Sequence, residues 1–432
     1  MSPGSPQAGH SVTTRPATCD PRPGRGQVTV AEALLGPDGE RSVSPAVPLL
    51  HRALTDAGLT VLTGTVHTDP PPAASDGATT ALVAEAPDEH TPPLALAVDA
   101  DDQDADRAAR EALASVASVR GARTVFLASP RSFCAGVERA IDVVDQLLEQ
   151  NDTGDPVYVR KQIVHNTHVV NDLAQRGAVF VDELDEVPDG ATVVFSAHGV
   201  SPQVRNDARH KELRVVDATC PLVTKVHTEA RRFAEQGNTV VLIGHAGHEE
   251  VEGTVGEAPD RTVLVENISD VEHLTVPDSD RVAFLTQTTL SVEETAGTVR
   301  ALKSRFPKVQ SAPSDDICYA TTNRQNAVAE VAARSDLVLV VGSTNSSNSV
   351  RLVELSERQG VPAHLVDDAR DIRPSWLAGV RSVGLSAGAS APPSLVTEVI
   401  ATLSGLGPVD VVECTTTVEN VYFAPPRSVR KP

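Results

Sequence analysis

The sequence predicts an α/β protein preceded by an extension of a different character. Three observations point this way. Short runs of Val, Ile and Leu recur from Ala122 onward, each followed by an amphipathic segment. All 8 Phe, 3 Tyr and the single Trp lie between Phe126 and Phe423. Three of the 5 cysteines, Cys134, Cys220 and Cys318, stand about one small domain apart, each before a helical pattern. At about 150 residues per domain, 432 residues suggest about three domains.

Residues 1–120 come first. They hold 14 of the 31 prolines and neither an aromatic residue nor a lysine. Pro-rich and Gly-rich patches (Pro21 to Gly26, Pro70 to Pro72, Pro92-Pro93) alternate with two helical signals, Pro48 to Leu54 and Ala105 to Val119. Acidic residues at 101–104 suit the positive end of the second helix. With no aromatics, any core must rest on Leu, Val and Ala. The expectation is a partly ordered extension without chemistry, and an incidental thiol at Cys19.

Beyond it, Thr192 to Phe195, Thr239 to Ile243 and Leu337 to Val341 read as buried parallel strands within α/β layers. The net charge of −21 sets long-range repulsion against nucleic acid. No run approaches the ~18 apolar residues of a membrane span. The N-terminus lacks the apolar core of a secretory signal. An odd number of distant cysteines fits reduced thiols in a cytoplasm better than a disulfide framework.

Each of the three cysteines precedes a helix. Cys134 is followed by Val137, Ala140, Ile141, Val144 and Leu148 on one face. Cys220 is followed by Pro221, a residue suited to the first helical position, then Leu222, Val226, Ala230 and Phe233. Cys318 stands before Thr322 and Gln325, which suggest a capping box, and then Ala327, Val328 and Val331. A helix N-terminus is expected to lower a thiol pKa and favour the thiolate. Any one of these cysteines alone reads as a small buried hydrophobe. Three in one setting read as a shared metal site. Zinc normally uses local Cys-x-x-Cys pairs, absent here, whereas three distant soft ligands fit an iron–sulfur cluster with one open iron.

Polar loops follow other strands: Ser196 to Gly199, Gly244 to Glu250, Gly342 to Ser349 and Ser386 to Ser390. Small residues let backbone N–H groups approach an anion, and His, Ser and Asn donate further hydrogen bonds. Ordinary turn chemistry would explain the last loop alone. Together, and with two histidine loops among them, they point to a phosphate or diphosphate site. None ends in the Gly-Lys-Ser/Thr of a nucleotide-hydrolysing loop. His165 by itself is ambiguous, and Glu250 beside the histidines is a candidate proton donor.

Nine segments in order then resemble one family. They are Phe133 to Val137, Ile163 to Asn166, Phe195 to Val200, Ala218 to Val223, Gly244 to His248, Thr286 to Leu290, Asp316 to Gln325, Asn345 to Ser349 and Ala387 to Ser390. The pattern resembles the LytB/IspH family and spans about residues 123 to 425, leaving residues 1–120 outside it. The resemblance implies a trefoil of three similar α/β units around a central 4Fe–4S cluster. It implies units at 121–219, 220–315 and 316–432, after an extension at 1–120. It further implies reductive dehydroxylation of 4-hydroxy-3-methylbut-2-enyl diphosphate to isopentenyl and dimethylallyl diphosphate, the last step of the methylerythritol phosphate pathway. Reduced ferredoxin or flavodoxin would be the electron donor.

By motif match, Cys134, Cys220 and Cys318 would hold the cluster. His165, His198, His248, Ser346, Ser347, Asn348 and Ser390 would hold the diphosphate. Glu250 would relay a proton, with Thr288 as its hydroxyl partner beside the substrate alcohol. Two positions depart from the family pattern: Ser132 replaces a usual Gly, and Glu249 replaces a usual Pro. A carboxylate at 249 is expected to raise the pKa of Glu250 or repel the diphosphate. Two other readings remain, a non-catalytic iron–sulfur redox sensor and a zinc-dependent phosphoester hydrolase.

Overall fold

The computed structural model describes residues 12–69, 79–151, 154–314 and 316–429. These form four sheets. The first is built by the extension. Strand Gln27–Leu35 pairs in parallel with Thr60–Thr68, which pairs antiparallel with Val12–Asp20. That strand pairs with Thr79–Ala84, which pairs with Leu94–Asp99. Leu94–Asp99 returns to Gln27–Leu35 and closes the ring. Closure leaves these strands without the open edge that invites mispairing. Gly64 is required where strands cross, because a Cβ there would lie 2.0 Å from the Asp20 carbonyl oxygen.

The described part of the extension, residues 12–69 and 79–118, is folded, with more regular structure than its prolines suggest for a partly ordered extension. Residues 1–11 and Pro70 to Pro72 fall outside the described residues. Both helical signals are confirmed, as Val47–Asp56 and Gln103–Ser118, the latter capped by Asp102. The strands escape the sequence reading because they lack aromatic residues; the interior uses Val28, Val30, Leu82, Leu94, Leu96 and Val98. One core joins this domain to the rest of the chain. Leu49, Leu50, Leu54, Leu113 and Val116 cluster with Leu377, Val399, Leu403 and Leu406.

The other three sheets are parallel and make three α/β units, as the trefoil requires. The first orders Arg214–Asp217, Thr192–Phe195, Val157–Arg160 and Ala178–Val181. The second orders Thr262–Val265, Thr239–Ile243, Val282–Thr286 and Gln310–Ser311. The third orders Ala363–Val366, Leu337–Val341, Ser382–Ala387, Arg123–Ser129 and Val409–Thr415.

Sheet membership departs from the expected boundary at 121. Strand Arg123–Ser129 pairs with two strands of the third sheet, although it precedes the first unit in sequence. Parallel pairing needs only a long crossover, so the partner can lie far along the chain. Helix Ala135–Glu149 then packs on the first sheet through Val137, Ala140 and Val144. Helix Pro221–Glu235 packs on the second through Val226, Ala230 and Phe233. Helix Tyr319–Ala332 packs on the third through Ala327, Val328 and Val331. Each cysteine thus stands where the chain leaves one sheet and starts the next unit. That cyclic arrangement brings the three together.

Candidate active site

Open parallel sheets bind ligands beyond the carboxyl ends of their strands, and a partly open cavity lies there. All twelve residues proposed from the sequence line it: Cys134, Cys220, Cys318, His165, His198, His248, Glu250, Thr288, Ser346, Ser347, Asn348 and Ser390. Cys19 and Cys414 do not line it, and both lie in strands.

Each of the three cysteines is a helix N-cap residue. Their backbone N–H groups donate to loop carbonyls at Ala389, Ala197 and Thr288 respectively, at 3.2, 3.0 and 3.0 Å. Pro221 occupies the first turn after Cys220, as expected. After Cys318 the expected capping box is not formed. Cys318 itself caps the helix, its sulfur accepting from the Thr321 N–H at 3.3 Å, and Thr322 is already inside. Gly136 separates two of the sulfurs: a Cβ there would lie 2.6 Å from Cys220 Sγ and 3.9 Å from Cys134 Sγ.

Burial pushes the thiols of Cys220 and Cys318 up to about 12 and 11, with Cys134 adding to both. The lowering expected from the helix ends is overridden by desolvation. Charged thiolates here require a cationic centre, and such a centre fits the donor set. Among the described residues, the trio whose ligand atoms lie within 4.8 Å of one another is His165, His198 and Glu249, and the three cysteines do not form such a group. Their wider spread suits a multi-iron centre better than one tetrahedral ion.

In the same cavity three imidazoles face one another. His165 stacks on His198 with ring centres 4.0 Å apart and planes 17° from parallel. His248 stands nearly perpendicular to both. A near-parallel stack cannot aim two in-plane lone pairs at one ion, which counts against a mononuclear site at the trio. It can aim two N–H edges at one anion. Burial pushes His165, His198 and His248 down to about 3, 4 and 3, with mutual repulsion adding at His165 and His248. The rings are therefore neutral near pH 7. His248 caps helix Glu249–Gly256, and its Nδ1 accepts from the Glu250 N–H at 3.1 Å. The neutral ring must then carry its proton on Nε2.

Ser346 caps helix Ser347–Arg358, whose N-terminus also faces the cavity. Asn348 Oδ1 accepts from the Ala389 N–H at 2.9 Å, while its buried Nδ2 has no partner among the described residues. Ser390 donates to the His165 carbonyl at 2.9 Å. Gly388 is needed because a Cβ would lie 1.9 Å from Ser349 Oγ. Together these groups supply neutral donors and two helix ends, the equipment for an anion.

Between the two walls sits Glu250, 2% exposed. Its carboxylate accepts from both Thr288 N–H (2.7 Å) and Thr288 Oγ (3.0 Å). Burial raises its pKa against the lowering by these bonds. It is thus a carboxyl group inclined to hold a proton, in contact with a hydroxyl that lines the cavity. Glu249 lies on the histidine side, its Oε2 3.2 Å from His198 Nδ1.

Thr289, Tyr319, Thr321 and Phe423 also line the cavity, and the sequence assigns them no role. Thr321 had a readable signal, three residues past Cys318, the spacing at which a first-turn N–H meets its cap. Phe423 had none. It sits in a tail without periodicity that crosses from the third unit to the first, where Val429 is buried.

The family model described as LytB protein matches residues 125–404. A 4-hydroxy-3-methylbut-2-enyl diphosphate reductase of Mycobacterium bovis is 58% identical over 314 residues, covering 72% of this chain and 95% of the relative. One of Mannheimia succiniciproducens is 54% identical, covering 71% and 98%. The solved E-1-hydroxy-2-methyl-but-2-enyl-4-diphosphate reductase of Plasmodium falciparum superposes with a TM-score of 0.68 at 38% identity, covering 72% and 97%. Ordered motifs, three parallel units and these likenesses agree: the chain belongs to the LytB family.

Proposed function

We infer that the protein reductively dehydroxylates 4-hydroxy-3-methylbut-2-enyl diphosphate to isopentenyl and dimethylallyl diphosphate, the last step of the methylerythritol phosphate pathway. The observation that carries this reading is the single cavity that holds three cysteines, an anion-donor wall and a buried carboxyl–hydroxyl pair. The net step breaks the allylic C–O bond, consumes two electrons and two protons, and releases water.

Cys134, Cys220 and Cys318 would hold a 4Fe–4S cluster. When bound, it supplies electrons one at a time and offers one iron, without a protein ligand, as a Lewis acid. The protein's own residues do the rest. His165, His198, His248, Ser346, Ser347, Asn348 and Ser390 anchor the diphosphate, and its binding energy fixes the distant alcohol beside Thr288. Glu250, inclined to stay protonated, passes a proton through the Thr288 hydroxyl to the departing oxygen. The −21 net charge does not prevent capture of an anion, because contact donors prevail where remote charges are screened over ~8–10 Å.

Reduced ferredoxin or flavodoxin is the electron donor in this reading, and the setting is cytoplasmic. No helix among the described residues is long and apolar enough to cross a membrane, and no two cysteines among them form a disulfide. Anaerobic purification with iron and sulfide analysis, followed by turnover of the hydroxylated diphosphate with reduced methyl viologen, tests the whole. Brown, iron-loaded protein giving both products is expected. A colourless, iron-free protein with full activity would overturn it.

A further inference from the structure

Glu249 puts a carboxylate directly against His198, a residue of the cavity's anion-donor wall. It is the first residue of helix Glu249–Gly256, mostly buried, and its Oε2 lies 3.2 Å from His198 Nδ1 and 3.4 Å from Ser196 Oγ. The groups around it are His165, His198 and His248 on the cavity side and Arg160 and Lys161 at the end of a neighbouring strand. Both of those cations are already paired with Glu183. Its helix neighbour Glu250 turns instead to Thr288.

Proton counting at this pair leads to a definite consequence. If His198 is neutral and donates Nδ1–H to a charged Glu249, its Nε2 carries a lone pair. That lone pair would then confront the diphosphate, with a carboxylate in contact with the same ring. For His198 to present Nε2–H instead, the pair must hold one more proton. That proton makes either an imidazolium beside a carboxylate or a neutral ring accepting at Nδ1 from a protonated carboxyl. The two forms are one macroscopic state of the pair. His248 does not face this choice, since its Nδ1 already accepts from a backbone N–H.

We propose that Glu249 is a positioning residue that couples diphosphate binding to uptake of one proton by the His198–Glu249 pair. The proton comes from solvent, so affinity falls as pH rises. The inference rests on reading the cavity as a diphosphate site.

The test uses iron-loaded protein and inorganic diphosphate. Calorimetric titration at about pH 7.5 in buffers of different ionisation enthalpy reads proton uptake directly. Wild type is expected to take up about one proton more per diphosphate than Glu249→Gln. The Gln side chain can donate to Nδ1 without charge, so it fixes the Nε2–H form of His198 at no proton cost. Correspondingly, the wild-type Kd should climb about tenfold more per pH unit than that of the variant. Glu249→Asp, which keeps a carboxylate, should restore the extra proton; a purely structural role would not divide the variants in this way. Equal proton uptake by wild type and Glu249→Gln overturns the proposal. Failure of wild type to bind diphosphate removes the reading beneath it. Proton-coupled binding without reductive turnover would leave the coupling standing and remove the reductase instead.

Discussion

Glu250 holds both polar groups of Thr288, taking its N–H at 2.7 Å and its hydroxyl at 3.0 Å. The second bond leaves the Thr288 oxygen as the link between a buried acid and the cavity. Glu250→Gln keeps the shape and can accept from the Thr288 N–H while its amide donates to the hydroxyl, but it cannot give up a proton. It is expected to lower turnover ~10²- to 10⁴-fold, the usual worth of a positioned acid, with iron content unchanged. Because burial raises the pKa of Glu250, the acid form persists to higher pH than for an ordinary carboxyl group. Turnover should therefore fall as pH rises through that raised value, and Glu250→Gln should lose that limb of the profile. A variant as active as wild type would end the proton-donor role.

Gly136 is the tightest steric constraint on the cysteines. An Ala there would normally favour a helix by about 0.5–1 kcal/mol. Here its Cβ would come within 2.6 Å of Cys220 Sγ. Gly136→Ala should thus lower bound iron nearly as much as Cys220→Ser, although it removes no ligand. Iron and sulfide analysis of the two variants beside wild type checks this. Full iron content in Gly136→Ala would mean that the helix gives way more easily than its packing suggests.

Ser132 has φ +60°, in the left-handed region. A side chain there costs about 1–2 kcal/mol relative to glycine, and the buried Ser132 hydroxyl has no partner among the described residues. The turn is held from outside. Arg324, fully buried, donates twice to the Ser132 carbonyl and once to that of Phe133, and pairs with Glu419. Ser132→Gly should raise the melting temperature while leaving iron content alone. Arg324→Met should lower both melting temperature and iron content, since it takes the cation from Glu419, leaving it the Asn323 amide, and frees the turn carrying Cys134; loss of one partner of a fully buried pair would cost ~3–5 kcal/mol, an upper bound for this partly exposed one. Thermal melts with iron analysis separate the two effects.

The site was more legible than the fold. Cys134, Cys220 and Cys318 could be read because periodic apolar residues follow each, and Pro221 marks a helix start. The histidine and Ser/Asn loops could be read because each follows a buried strand. What local pattern could not supply was the environment. Helix ends predicted lowered thiol pKa values, yet burial of Cys220 and Cys318 reverses the sign. Nor could it place strand Arg123–Ser129 in the third sheet, because its partners Ser382–Ala387 and Val409–Thr415 come hundreds of residues later. The strands of the extension were hidden by small side chains. Runs such as Thr79–Ala84 and Leu94–Asp99 are buried nearly throughout, so they lack the alternation that marks a half-exposed strand.

That hidden domain supports the last prediction. The likenesses to relatives cover 72% of the chain or thereabouts, and the matched family region starts at residue 125. A trimmed chain of residues 121–432 would hold every cavity residue. Yet Val399, Leu403 and Leu406 on the third unit are buried in one cluster with Leu49, Leu50 and Leu54 of the extension. The contact is close: a Cβ on Gly405 would lie 2.4 Å from the Ala46 backbone nitrogen. Arg123 also donates to the Val119 carbonyl across the junction. Removing residues 1–120 uncovers that apolar face, and a contiguous exposed patch promotes association. The trimmed protein should therefore aggregate or melt at lower temperature, whereas its soluble fraction should still take up iron. Size-exclusion chromatography and a thermal melt beside the full chain decide the point. A monomeric fragment with an unchanged melting temperature would show that the shared core contributes little.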